Sequence, residues 1–203
     1  MRTHLPPLPK VPGAQNYLPR GENMLDLLGT EHRFLNAMCA DVRDDPGQTL
    51  VLVAVLCRHL SAERQYFYPA AGAAPDDLLS YGYALSRAKA GSLTWHQALA
   101  AVTTAVEEHS RACESLYEPM RAAFSQTDLV RLGNRVTMAL DSAPTRPHPG
   151  APMNTPWNKV TDPLLGAVDK MRDVFTGRRS YPPPAPEAAR RRLRTRHIPI
   201  TQS

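Results

Sequence analysis

The 203-residue chain lacks the features that mark membrane, secreted and disulfide-bonded proteins. It contains no run of about 18 consecutive apolar residues, so we expect no membrane span. Its first residues have no apolar core of the kind found in signal peptides, which predicts a cytoplasmic protein. The cysteines Cys39, Cys57 and Cys113 are odd in number and stand within apolar helical patterns. We therefore expect no disulfide framework.

Recognisable enzyme motifs are also missing. The chain has no Ser-His-Asp order, no glycine-rich phosphate loop and no Cys-x-x-Cys pair. Nothing in the sequence identifies a substrate, and we expect a binding protein rather than an enzyme.

The net charge of +5 is local rather than global. Residues 178–203 hold seven arginines and one acid, Glu187, whereas the other 177 residues carry 17 basic and 18 acidic side chains. A basic segment of this composition is usually a solvated, disordered tail. Nonspecific phosphate binding is the alternative, but no recognition helix or interleaved aromatic residue accompanies the arginines. We therefore expect no nucleic-acid partner.

Proline placement divides the chain into four parts. Five prolines in the first 20 residues predict an extended arm over 1–21, because proline removes a backbone donor and resists helix formation. Residues 22–142 form the predicted helical body. Residues 143–177 begin with a proline-rich connection and end in a docking helix at 164–175, with Leu165, Val168, Met171 and Phe175 facing inward. The basic tail, 178–203, completes the chain.

Within the body, apolar residues recur every three or four positions, which is the spacing of one helix face. We predict helices over 22–43, 49–68, 76–89, 94–123 and 127–140. Pro69 should close the second, and Pro119 should end or kink the fourth. The third is short and carries Gly82, with Leu78, Tyr81 and Leu85 inward. Because the connections are short, the first four should form an all-α, up-down-up-down four-helix bundle.

Four ionisable residues interrupt these apolar faces: His32 on the first helix, His59 and Glu63 on the second, and His109 on the fourth. His59 and Glu63 are four residues apart, so their side chains stand one turn apart on one face. A buried carboxylate is costly unless it is paired or binds a metal. The pattern predicts an interior metal site whose donor atoms lie within about 10 Å of one another.

A short internal repeat supports this placement. The string HLSAERQYFYP from His59 aligns with HSRACESLYEP from His109, sharing an alanine, an aromatic residue and a proline. The repeat sets Cys113 at the position of Glu63. We consider three roles for Cys113: a soft thiolate ligand favouring zinc or a single iron, an oxidation-sensitive thiol, or a small core residue. Its neighbour Glu114 should face solvent.

These motifs resemble the hemerythrin-like (HHE cation-binding) family. The resemblance rests on H-x-x-x-E followed by an aromatic residue and proline, on TEHRFL around His32, and on the segment beginning APTRPHPG at Ala143. It implies a four-helix bundle with a non-haem di-iron site that binds or senses oxygen, nitric oxide or iron. The implied ligands in this chain are His32, His59, Glu63 and His109, with Cys113 at a position where the family has glutamate.

The chain also departs from the family at the third helix, which should supply a histidine but has none; Tyr81 is the predicted occupant. These departures leave other possibilities open. One is a mononuclear zinc or iron site, and another is a metal-free bundle that acts as a partner-binding module. The remaining histidines, His4, His96, His148 and His197, are expected to lie outside the site.

Overall fold

The computed structural model describes residues 19–147, 165–170 and 172–173. Within these ranges the chain is helical and contains no strand. Most of the predicted proline-rich arm and connection, and the whole basic tail, lie outside the described residues.

Seven α-helices follow one another within residues 19–147. They are α1 (Met24–Asp44), α2 (Thr49–Ala62), α3 (Tyr68–Ala71), α4 (Leu78–Arg87), α5 (Leu93–Glu114), α6 (Tyr117–Ala123) and α7 (Gln126–Ser142). A 3₁₀ turn, Pro46–Gln48, joins α1 to α2, and a π-helical turn, Glu63–Phe67, joins α2 to α3 without a break.

The predicted inward faces of α1 and α5 are confirmed. Helix α1 begins after Asn23, whose side chain accepts hydrogen bonds from two backbone amides of the first turn, and α5 begins after Ser92, whose hydroxyl accepts one from the amide of Trp95. Both helices bury apolar residues at helical spacing. On α1 these are Leu25, Leu28, Leu35, Cys39 and Val42, and on α5 they are Trp95, Leu99, Val102 and Val106.

The prediction that Pro69 closes the second helix is wrong. The helical path continues to Ala71 and ends at Gly72, whose φ of 66° is the left-handed conformation that glycine adopts readily. Proline in a regular α-helix clashes with the carbonyl four residues earlier. The wider π turn lies just before Pro69 and relieves that clash. It also shifts the register, so that Phe67 is fully buried while Tyr66 is only partly buried.

Pro119 interrupts the other long helix, as predicted. Helix α5 ends at Glu114, and α6 begins at Tyr117 after a turn at Ser115 and Leu116. Ser115 is four residues before Pro119, so its carbonyl is the one that the proline ring would meet.

The expected inward position of Tyr81 is also wrong. Helix α4 begins at Leu78 and buries Leu78, Gly82 and Leu85, whereas Tyr81 is 44% exposed. A Cβ added to Gly82 would lie 2.9 Å from Leu56 Cδ2. Glycine therefore lets α4 pack closely on α2, and this close approach orients the helix with Tyr81 outward.

The C-terminal helical segment docks through a face other than the predicted one. Val168 is 49% exposed, while Gly166, Asp169 and Asp173 are buried. Both carboxylates bind the chain just after α7: Asp169 Oδ2 accepts from the backbone amide of Thr145, and Asp173 Oδ2 accepts from the Thr145 hydroxyl. Contacts predicted for Met171 and Phe175 fall on residues outside those described.

The helices enclose two separate apolar cores. The first, core A, lies between α1, α2, α4 and α5 and includes Leu35, Leu56, Leu85 and Val106. The second, core B, includes Leu28, Ala62, Phe67, Cys113 and Tyr117 together with residues of α7. On α1 and α5 the chain passes from one core to the other within about two helical turns, and His32 and His109 lie between the two cores. On α2 the change falls between Leu60 and Ala62, with His59 just before it and Glu63 just after it. Among the described residues, no helix is both long and apolar enough to cross a membrane.

Candidate metal centre

Three histidines form a polar layer between the two cores. His32 stands between Leu28 of core B and Leu35 of core A, and His59 and His109 occupy the same depth on α2 and α5. All three are at most 2% exposed. Their ring centroids are 4.8 to 5.4 Å apart. The predicted convergence of these residues is confirmed.

Glu63 lies at the centre of the three imidazoles and is fully buried. Its Oε1 is 3.2 Å from His32 Nε2 and 3.3 Å from His59 Nε2, and its Oε2 is 3.2 Å from His109 Nε2. The two Nε2 atoms of His59 and His109 are themselves 3.2 Å apart. Each histidine therefore turns the same ring nitrogen toward one carboxylate.

The charge of Glu63 is stabilised by this surrounding. Burial alone would raise its pKa, but the positive potential of His59 and hydrogen bonds from His109, His32 and His59 hold the pKa well below its usual value. Its Oε2 nevertheless lacks an aligned hydrogen-bond donor among the described residues, despite the short approach of His109. A buried carboxylate oxygen without a donor is suited to binding a cation.

Asp76 holds the outer nitrogen of His109, a contact that the sequence did not reveal. Its Oδ2 is 2.7 Å from His109 Nδ1, and its Oδ1 accepts from the backbone amide of Leu78 at the start of α4. Burial lowers the pKa of His109, but hydrogen bonds to Asp76, Cys113 and Glu63 outweigh it and raise the pKa to about 12. The same hydrogen bond lowers the pKa of Asp76, although burial acts in the opposite direction.

The outer nitrogens of the other two histidines differ. The hydroxyl of Tyr117 is 3.3 Å from His32 Nδ1, and the carboxylate of Glu114 is 3.9 Å from the same atom. The Glu114 side chain is 49% exposed, in keeping with its predicted position at the surface. Nδ1 of His59 is buried and has no hydrogen-bond partner among the described residues. When Nδ1 carries the proton, Nε2 offers its lone pair inward, which is the form that binds metal.

Cys113 borders the layer rather than entering its centre. Its Sγ is 3.9 Å from His109 Nε2 and 3.6 Å from the hydroxyl of Tyr68. Burial and the nearby charge of Glu63 raise the pKa values of both Tyr68 and Tyr117, so both phenols stay protonated. The cysteine is thus close enough to reach a bound ion only from the edge of the site.

The two halves of the internal repeat contact each other. His59 and His109 meet at 5.4 Å between ring centroids, and Phe67 and Tyr117, the aligned aromatic residues, meet at 6.0 Å. Glu63 and Cys113, which also align, both lie beside His109. The repeat therefore corresponds to real contacts between the second and fourth long segments.

Two further residues considered in the sequence, Tyr81 and His96, contribute no donor to the cluster. Tyr81 faces solvent, so α4 itself supplies none, and the connection before it supplies Asp76 instead. His96 is exposed, as predicted from its place on α5. His4, His148 and His197 lie outside the described residues.

The donor set has the dimensions of a metal-binding site. His32, Glu63, His109 and Cys113 each offer one ligand atom, and these atoms all lie within 4.8 Å of one another. A tetrahedral ion with bonds of about 2.0–2.1 Å has ligand atoms separated by roughly 3.3 Å. The Nε2 atoms of the three histidines lie 3.2 to 3.3 Å from the nearer oxygen of Glu63, and those of His59 and His109 lie 3.2 Å apart, which is close to that value. This buried cluster could therefore hold a metal ion.

Comparison with known proteins identifies no relative: no family model, curated protein or solved structure matches the chain.

Proposed function

We propose that this protein binds a single transition-metal ion through His32, His59, His109 and Glu63. The observation that carries the proposal is the convergence of three Nε2 atoms on one buried carboxylate at 3.2 to 3.3 Å. An apolar interior rarely brings four ionisable groups together without a common partner, because each loses its hydration on burial. A cation at their centre would stabilise all four.

We propose iron as the physiological metal, with zinc as the alternative. Iron follows from the resemblance to hemerythrin-like proteins, and imidazole and carboxylate donors suit both metals. The contacts of α1 with α2, α2 with α4, α4 with α5, and α5 with α1 are compatible with the up-down bundle of that family. Three or four protein donors leave positions on iron for a small ligand, and we infer that the loaded site binds or senses oxygen, nitric oxide or iron itself.

A single ion fits the donor set better than two. A binuclear site needs metals about 3.5–4 Å apart and carboxylates that bridge them. Here one carboxylate, that of Glu63, contacts all three histidines. The position on α5 that aligns with Glu63 in the repeat is Cys113 rather than a second acid. The di-iron site implied by the resemblance is therefore reduced, in this proposal, to one ion.

Elemental analysis tests the proposal directly. Protein purified under reducing, iron-supplemented conditions should contain about one metal ion per chain. His59→Gln should lose the metal, whereas His96→Gln, which changes an exposed histidine of α5, should retain it. About two irons per chain would contradict the single-ion site, and an equal metal content in both variants would contradict the ligand assignment.

The second candidate is a metal-free bundle that binds a partner. It is favoured by the ion pairing of His109, which lies between the carboxylates of Asp76 and Glu63 and could stay protonated without any metal. In that case the cluster is structural, and the purified protein would contain neither iron nor zinc under any loading condition.

A further inference from the structure

Two partly exposed carboxylates contact the candidate site: an oxygen of Glu114 lies 3.9 Å from His32 Nδ1, and an oxygen of Asp76 lies 2.7 Å from His109 Nδ1. The side chains of the three histidines and Glu63 are at most 1% exposed, whereas that of Asp76 is 41% exposed. Asp76 belongs to the non-helical connection between Gly72 and α4, and its contact with His109 Nδ1, at 2.7 Å, is shorter than the other histidine contacts of the cluster. One carboxylate thus joins a loop at the surface to a buried metal ligand.

The two oxygens of Asp76 perform different tasks. Oδ1 accepts from the amide of Leu78 and so fixes the first turn of α4, while Oδ2 accepts from His109 Nδ1–H. An aspartate bound only as a helix cap would not need the second contact. A metal-bound histidine usually donates its outer nitrogen to such a carboxylate, which fixes the ring and its tautomer and strengthens the metal bond.

We propose that Asp76 is a positioning residue of the metal site: it holds His109 with Nε2 facing the ion, and it ties the retention of metal to the Gly72–Asp77 connection. This inference rests on the proposed function. It adds that metal affinity and the rate of metal release depend on an exposed residue that makes no bond to the metal.

Asp76→Asn separates the two tasks of the carboxylate. Asparagine keeps one acceptor oxygen for the Leu78 amide, but its amide group cannot accept a hydrogen bond from His109. Asp77→Asn is the matched control, because it removes the same charge one residue away, where the side chain is exposed and makes no capping hydrogen bond. Asp76→Glu restores a carboxylate on a longer side chain.

The test uses the full chain loaded with zinc, which is colourless and diamagnetic. We expect chelator competition to show about 10–100-fold weaker binding for Asp76→Asn, with faster release of zinc, partial recovery in Asp76→Glu and no change in Asp77→Asn. Long-range ¹⁵N–¹H spectra should show a solvent-protected His109 Nδ1 proton in the wild type that is lost in Asp76→Asn. Circular dichroism would check that the variants stay helical.

The outcomes are distinguishable. If the wild type takes up no zinc or iron, the proposed function fails and the role of Asp76 falls with it. If the wild type binds metal and Asp76→Asn binds it equally well with the His109 proton retained, only the role of Asp76 is overturned. Equal losses of metal affinity in Asp76→Asn and Asp77→Asn would also overturn it. The loss would then come from removing a negative charge from the loop and not from the contact with His109.

Discussion

The two copies of the repeated motif, residues 59–69 and 109–119, share a histidine, an alanine, an aromatic residue and a proline, but the fourth residue after the histidine is an acid in only one of them. The first copy has Glu63, which lies at the centre of the three imidazoles, and the second has Cys113, which lies at their edge. Both copies end in a proline that disturbs the helix. The first absorbs it in a π turn, and the second breaks into two helices.

This difference explains how a repeated sequence can build a site with one centre. The acid of the first copy, Glu63, contacts the histidines of both copies and also His32 of α1. A second acid at position 113 would add another negative charge to a space that is fully enclosed. The chain instead has a cysteine there, so that one carboxylate faces three imidazoles.

The largest expected effect comes from Glu63→Gln, which removes the acid that distinguishes the copies. The affinity for metal should fall, because the site loses its carboxylate ligand and keeps only the three imidazoles. In the metal-free protein, His109 would retain only Asp76 as a charged partner, so we expect the free energy of unfolding to fall by about 3 kcal/mol. Metal analysis and urea unfolding would measure both effects.

Glu108→Gln is the control for that experiment, because Glu108 is exposed on α5, one residue before His109. It should leave metal content and stability unchanged. An affinity for metal in Glu63→Gln equal to that of the wild type would mean that the carboxylate is not a ligand.

A gain of metal, rather than a loss, is expected when the copies are made alike by Cys113→Glu. A second carboxylate beside His109 could bridge two ions, so the iron content should rise toward about two per chain. Without metal, the added buried charge should destabilise the fold by several kcal/mol. Iron content, and melting with and without chelator, would be compared between Cys113→Glu and Cys113→Gln. Glutamine has the size of glutamate but carries no charge. Equal destabilisation with and without metal, and no gain in iron, would leave Cys113 as core packing.

The smallest effect is expected from Tyr117→Phe, which gives both copies the same aromatic residue. It removes the hydroxyl that lies 3.3 Å from His32 Nδ1. Metal binding should weaken by about tenfold, with a loss of about 1 kcal/mol in stability. Chelator competition would measure the affinity, and Tyr81→Phe, at an exposed position, provides the control. Equal affinities in the two variants would show that the hydroxyl does not orient His32.

The inward residues of the candidate site could be predicted because they occupy apolar helix faces. His32, His59, Glu63 and His109 each stand where the helical spacing calls for an apolar residue, and a polar residue there is conspicuous. Asp76 could not be found in this way, since it lies in a loop without periodicity and an acid before a helix is ordinarily a cap. Tyr117 was visible only as an aromatic residue of the repeat, with no sign that its hydroxyl meets His32.

The errors have a common physical source in backbone geometry. Because of the π turn at Glu63–Phe67, the helix continues past Pro69, and Phe67 is buried more deeply than Tyr66. No pattern in the sequence predicts such a turn. Likewise, Tyr81 faces outward because Gly82 allows α4 to approach Leu56. Regular periodicity predicts which helices form, whereas close approaches and irregular turns decide the exact faces that they bury.

X-ray absorption at the metal edge of the loaded wild-type protein tests the central claim most directly. A single ion held by three imidazoles and Glu63 predicts nitrogen and oxygen neighbours at about 2.0–2.1 Å, with the outer-shell scattering of imidazole. A second metal at about 3.5–4 Å would contradict the single ion, and a sulfur neighbour at about 2.3 Å would place Cys113 among the ligands instead of at the edge of the site.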